Sequence, residues 1–311
     1  MKHKTRAFSP SGISSFFEIC DRTEDGKTLN DAQKIGARGG GFVIEKGVLT
    51  EVEITPTQKS SKIQVIINEQ RAPEAETTCA VARKLLQEAD SSFEITVSHT
   101  VQVPIGAGFG TSAAGALGTA LALSEALGLS HTYNDLGKIA HAAEVECKTG
   151  LGIVGPLMIG CCVLSVEPGG PGTAVIDRIP LTSDHAIVAG VCRGISTKSV
   201  LTSPEKREAV NRSGGKTLER ILSNPSLHNF LHCCKGFAEE AGFMNDRLRT
   251  LMKLAEKAGA IGAAQNMVGE AIHAVTTLEN AVRVTQAFME VLPQEKIITA
   301  KIDFQGARLL G

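Results

Sequence analysis

The chain has 311 residues, 42% of them hydrophobic, with a formal net charge of −1, no Trp and one Tyr. That length buries a sizeable core and suffices for two domains, while the balanced charge and scarce stacking rings exclude a nucleic-acid binder built on a basic footprint. The most apolar stretch, 151–166, is broken by Gly155, Pro156 and Gly160, which excludes a membrane span there. The charged start MKHKTRAFSP has no apolar stretch behind it, so no secretory signal is predicted and a cytoplasmic location is expected. The eight cysteines then read as reduced thiols.

In chain order, 5–8 reads as a short strand and 41–54 as two strands separated by a turn at Lys46 and Gly47. The alternation over 62–68 predicts another strand, and the spacing over 73–89 predicts a helix with Pro73 near its first turn. Phe93, Ile95, Val97, Val101 and Val103 alternate as a strand that runs into a Gly-rich stretch. The Ala- and Leu-rich segment 112–127, stopped by Gly128, predicts a helix, and its small residues predict that another backbone lies close against it. A helix over 134–146, strands over 157–166, 173–179 and 186–191, and helices from 204 to 256 follow, with Ser203 and Asn224 as cap candidates. Strand 270–276, helix 278–292 and strand 296–302 complete the pattern. Two units are expected, 1–185 and 186–311, the second of them α+β. In 228–234, His228 and His232 share a helical face, a spacing compatible with zinc; the simpler reading is an amphipathic helix burying Cys233 and Cys234.

The segment 104–115, PIGAGFGTSAAG, carries the chemistry. Strand, glycine-rich turn and small-residue helix in that order are the signature of a phosphate cradle, because free N–H groups at the positive end of the helix favour an anion; the alternative is a tight turn into a buried helix, with the glycines serving packing alone. Gly106, Gly108 and Gly110 permit the tight backbone, and Thr111 and Ser112 add hydroxyls. Thr111 occupies the third glycine position of G-x-G-x-x-G, and no Lys lies in the segment, so the dinucleotide fingerprint and the Lys-containing P-loop are both excluded.

Val103 through Ala114 resembles the central motif of the GHMP kinase superfamily, P-x-x-x-G-L-G-S-S-A, with Phe109 for Leu and Thr111 for the first Ser. Phe8, Ser9, Pro10, Ser11 and Gly12 resemble its N-terminal motif, and 258–264, AGAIGAA, resembles its C-terminal one. Within the superfamily the chain is similar to the archaeal pantoate kinase family over GISSFFEICD (12–21), ARGGG (37–41), AHAAEVECKTGLG (140–152), GIST (194–197) and AQNMVGE (264–270). The resemblance implies an α/β (α+β) fold of two domains: an N-terminal mixed α/β domain with the ATP loop and a C-terminal ferredoxin-like domain. It also implies ATP-dependent phosphorylation of the primary hydroxyl of pantoate in coenzyme A synthesis. Two alternatives are a kinase of the shikimate, homoserine or mevalonate type and a ligand-binding protein of the same fold.

Under this resemblance Pro104, Gly106, Ala107, Gly108, Gly110, Thr111, Ser112 and Ala113 contact ATP, Ser112 and Glu144 hold Mg²⁺, and Glu144 serves the catalytic step. Lys148 is expected to stabilise developing charge. Substrate contacts are expected from Ser11, Gly12, Arg38, Arg193, Ser196, Thr197 and Gln265, with a cation clamping the carboxylate. Many GHMP kinases carry an Asp, cast as base, in the stretch matching 149–153, yet this chain has no acid between Lys148 and Val166. Glu146 and Asp21 are the substitutes, unless positioning and electrostatics suffice. The partner expected is a small molecule, without nucleic acid or membrane, and a homodimer stays open.

Overall fold

The computed structural model describes residues 3–194 and 203–311. Two long antiparallel strands, β1 (His3–Cys20) and β2 (Gly36–Thr57), form the spine. Along them Pro10 pairs with Gly47 but Ser11 pairs with Ile44, so Glu45 and Lys46 bulge out. The turn expected at Lys46 and Gly47 is therefore a bulge inside one strand. Pro10 cannot donate to the ladder, and an irregularity there accommodates it.

The first sheet runs β12 (Arg308–Leu310), β1, β2, β5 (Ser92–Val101), β3 (Lys62–Ile67), β4 (Gln70–Arg71). β6 (Cys162–Glu167) pairs with β2 and with β7 (Val175–Ile179). β3 and β5 are parallel, joined through α1 (Glu76–Leu86). Helix α2 (Thr111–Leu127) lies directly on β1 and β2, and 13 of its 17 residues are buried, as its small residues predict. Gly118 makes the approach: a Cβ there would stand 2.4 Å from Thr50 Oγ1. Helix α3 (Tyr133–Cys147) packs on α2 and opens on a capping box between Thr132 and Asp135. The strand expected over 157–166 begins only at Cys162, because Val154–Ile159 forms a short helix, α4. A run of buried apolar residues satisfies either periodicity, and only Gly160 marks the change.

The second sheet has the order β11 (Ile297–Lys301), β8 (His185–Gly194), β10 (Gly269–Thr277), β9 (Gly262–Gln265), with all neighbours antiparallel. Helices α5 (Pro204–Ser223), α6 (Leu227–Glu240) and α7 (Asp246–Lys257) separate β8 from β9, and α8 (Leu278–Met289) separates β10 from β11. That connectivity is ferredoxin-like. Ser203 caps α5 through Lys206 N. Asn224 ends α5, and Ser226 caps α6 instead, accepting from Asn229 N. Cys233 and Cys234 are buried while His228 and His232 face outward. The two sheets share one core, in which Phe16 and Phe42 of the spine meet Phe230 and Phe237 of α6 edge to face. No helix among the described residues is long and apolar enough to cross a membrane.

Candidate active site

Strand β5 delivers the chain into the glycine loop, and Gly106, Gly108 and Gly110 all hold positive φ (75°, 78°, 60°). Gly110 is the N-cap of α2 and offers no side-chain cap, and the first turn contains no acid. The positive end of a long buried helix therefore opens, uncapped, on a cavity of about 620 Å³. Gly106, Gly108, Gly110, Thr111, Ser112 and Ala113 all line it. Pro104 and Ala107 do not: Ala107 is buried under the second sheet, where its carbonyl accepts from Asn266 Nδ2 at 3.5 Å. Gly12, from the N-terminal motif, lines the cavity and donates its N–H to Phe109 O at 3.2 Å, tying β1 to the loop.

Ser112 Oγ donates to Glu144 Oε1 at 2.6 Å, and Thr149 Oγ1 donates to the same oxygen at 2.7 Å. Thr77 Oγ1 bridges the two hydroxyls, 3.2 Å from Ser112 Oγ and 3.0 Å from Thr149 Oγ1. Glu144 is only 2% exposed. Burial raises its pKa, and the Ser112 and Thr149 hydroxyls oppose that shift. The turn after α3 holds this arrangement. Thr149 N bonds Glu144 O and Lys148 N bonds Val145 O, with Lys148 in the left-handed region (φ 56°) where glycine is usual. Gly150 lies so close that a Cβ there would stand 2.1 Å from Glu144 Oε2. Thr77 carries no sequence signal of its own: it opens α1, 35 residues before Ser112, outside any motif. Glu76, exposed beside it, lines the cavity as well.

Of the expected cations, Lys148 and Arg38 line the cavity. Arg38 is paired with Glu18 at 2.7 Å. Arg193 stays off the cavity wall, largely exposed, with Nε 3.2 Å from Glu270 Oε2. Ser196 and Thr197 lie outside the described residues. Ser11 and Gln265 are buried off the wall, and Gln265 Nε2 donates to Gly269 O. Glu146 pairs with Lys84 and Asp21 with Arg207, and neither acid lines the cavity. The C-terminal motif expected at 258–264 runs from the end of α7 through most of β9 and does not line the cavity. The cavity is reached by Met267 and Val268 in the β9–β10 turn, inside the matching stretch 264–270. Met267 N donates to Ser14 O there, a contact between strands that spacing alone does not reveal.

Ser112, Glu144, Thr77 and Thr149 present only oxygens, the set that a hard divalent cation such as Mg²⁺ takes, and the Cys147 thiol beside Thr77 stays protonated because burial raises its pKa. Gly150 keeps the second carboxylate oxygen free of a neighbouring side chain, so the residues present fit such an ion.

Residues 76–157 match the family of GHMP kinases, N terminal domain. The chain is 32% identical to a pantoate kinase of Thermococcus kodakarensis, over 92% of each chain. It is 28% identical to a pantoate kinase of Methanocaldococcus jannaschii, over 89% of this chain and 96% of that one. A solved structure described as a phosphotransferase related to the CoA biosynthesis pathway superposes with a TM-score of 0.87 at 29% identity, covering 98% of both chains. With the loop, helix and carboxylate arranged as above and this similarity running nearly end to end, the chain belongs to the pantoate kinase family of the GHMP kinases.

Proposed function

We infer that the protein transfers the γ-phosphoryl group of ATP to the primary hydroxyl of pantoate. The observation that carries this reading is the Ser112–Glu144 contact of 2.6 Å at the uncapped N-terminus of α2, inside a cavity that also holds Arg38. Backbone N–H groups of the loop and of the first turn of α2 would receive the triphosphate, which the helix dipole stabilises. Ser112 and Glu144 would hold Mg²⁺; when bound, the ion neutralises phosphate charge. Thr77 and Thr149 fix the Glu144 carboxylate so that it need not reorganise. Arg38 would take the pantoate carboxylate, and the aromatic and aliphatic wall of Ile13, Phe16, Leu151 and Val163 suits its two methyl groups.

Transfer makes a bond from the substrate oxygen to phosphorus and breaks the bond to ADP, and the hydroxyl proton leaves to solvent. A loose transition state asks little of a base, consistent with Glu76 and Glu144 being the only carboxylates on the wall among the described residues. Lys148, exposed at the rim, would oppose charge on the transferring group. The test is ADP release by purified protein with Mg-ATP, offered pantoate, shikimate, homoserine or mevalonate. Turnover on pantoate alone is expected. Nucleotide binding without turnover on any of them would overturn the kinase reading.

A further inference from the structure

We propose that Glu18 is a positioning residue that holds the Arg38 guanidinium side-on, leaving its end-on edge to receive the substrate carboxylate; this rests on the pantoate kinase reading. Arg38 Nε and Nη2 both reach Glu18 Oε2, at 2.9 and 2.7 Å. A guanidinium has two edges that can each grip a carboxylate with two parallel N–H groups: Nε with one Nη, and the two Nη together. Glu18 takes the first. Among the described residues no other carboxylate or carbonyl pairs with Nη1 or with the second N–H of Nη2; the Cys20 thiol and, further off, Glu167 are the guanidinium's other polar neighbours, and Arg38 lines the cavity.

The surroundings fix this orientation. Glu18 and Arg38 face each other across the β1–β2 ladder. Helix α5 closes over the pair at Gly215, where a Cβ would stand 3.3 Å from Glu18 Oε2 and 3.7 Å from Arg38 Nη2. Asn211 of the same helix grips both the N–H and the carbonyl of Ile19, so α5 is locked beside Glu18. On the other side, Ala37 packs against Gly152 of the turn that carries Thr149 and Gly150, which brings Arg38 to the wall shared with Glu144. An arginine immobilised before binding loses less rotamer freedom when the ligand arrives. The only other cation on the wall among the described residues is Lys148, exposed at the rim.

The experiment compares Glu18→Gln, Glu18→Asp and Arg38→Ala with the parent protein in steady-state assays. Pantoate and its neutral primary amide are each varied at saturating Mg-ATP, and unfolding midpoints are recorded alongside. Arg38→Ala is expected to raise the KM for pantoate by about tenfold or more, the scale of one lost charged hydrogen bond. The KM for ATP should stay unchanged, and the preference for the acid over the amide should disappear. Glu18→Gln should raise the same KM by about threefold to tenfold, reflecting a freed rotamer, and Glu18→Asp should fall between it and the parent. An Arg38→Ala protein with an unaltered KM for pantoate would overturn the proposal. So would a Glu18→Gln protein that binds pantoate as well as or better than the parent, since Glu18 would then be a bystander or a competitor. A parent protein that does not turn over pantoate overturns the function itself, a result separate from either variant's. Should Arg38→Ala fail to fold, Arg38→Lys reads the same loss of the second edge.

Discussion

At the residue scale the decisive feature is one oxygen. Glu144 Oε1 accepts from both Ser112 and Thr149, inside protein that raises the carboxyl's pKa. A buried carboxylate deprived of one of two charged hydrogen bonds loses about 1.5–3 kcal/mol. Thr149→Val keeps the shape and removes the donor. It should lower the stability of the protein by about that amount at pH 8, read from urea unfolding. Thr149→Ser should restore most of it. In a Glu144→Gln background the same Thr149→Val change should cost much less, because the neutral amide does not require two donors; equal costs in both backgrounds would mean that Thr149 acts only through packing. Ser112→Ala removes the other donor at the cavity face. Its signature should be a kcat decrease of about 100-fold, the loss typical of a preorganised electrostatic contact, with the fold intact by circular dichroism.

Between elements, two buried histidines act as neutral rivets. His273 of β10 has Nδ1 2.9 Å from Asn266 Oδ1 and Nε2 3.0 Å from Ser15 Oγ of β1. Asn266 Oδ1 can only accept, so the proton sits on Nδ1 and Ser15 donates to Nε2. His99 of β5 joins Thr50 of β2 to Thr78 of α1. Burial lowers the two pKa values to about 3 and about 4. An unfolded chain binds protons at these rings near the usual value of about 6.5, well before the folded one does, so stability is present above that pH and drains as pH falls through it. Each ring should cost about 2 kcal/mol between pH 7 and pH 5. Urea midpoints at the two pH values check this, and a His99→Gln, His273→Gln double variant should show a flatter dependence. Neither rivet was legible in the sequence, since each joins strands far apart in the chain. What was legible is what repeats locally: the glycines before α2, its alanine-rich length, and the alternation of β5. The strand expected over 157–166 failed because buried apolar residues there suit helix and strand alike. Thr77 and Glu18 carry no local signal of their roles because their partners arrive through the fold, whereas Ser112 and Glu144 sit in stretches that resemble family motifs and meet in space.

For the whole molecule, the relation of the two sheets sets the site. A division at 185/186 is a proposal that the start of β8 at His185 supports. The phosphate loop, built by the first sheet, is seated on the paired ends of β8 and β10 from the second. Gly194 pairs with Gly269; a Cβ on the first would stand 2.8 Å from Gly106 O, and one on the second 3.1 Å from Ala107 C and O. The height of the loop is therefore set by glycines more than 80 residues downstream. Gly194→Ala should push the Gly106 carbonyl outward and tilt the loop away from the α2 N-terminus. Misplacement of about 1 Å can cost up to about 100-fold in rate, and a shift of a few tenths should raise the KM for ATP by about tenfold at saturating pantoate. The fold should lose no more than about 1 kcal/mol, since Gly194 is at the exposed end of its strand. Gly236→Ala supplies the contrast: nothing lies within 4 Å of its added methyl, and it sits within α6. It should stabilise the protein by about 0.5–1 kcal/mol and leave both KM values alone. If Gly194→Ala lowered the melting temperature with no change in the KM for ATP, the loop would be held by the first sheet alone. The close contact with β8 would then serve folding and not nucleotide binding.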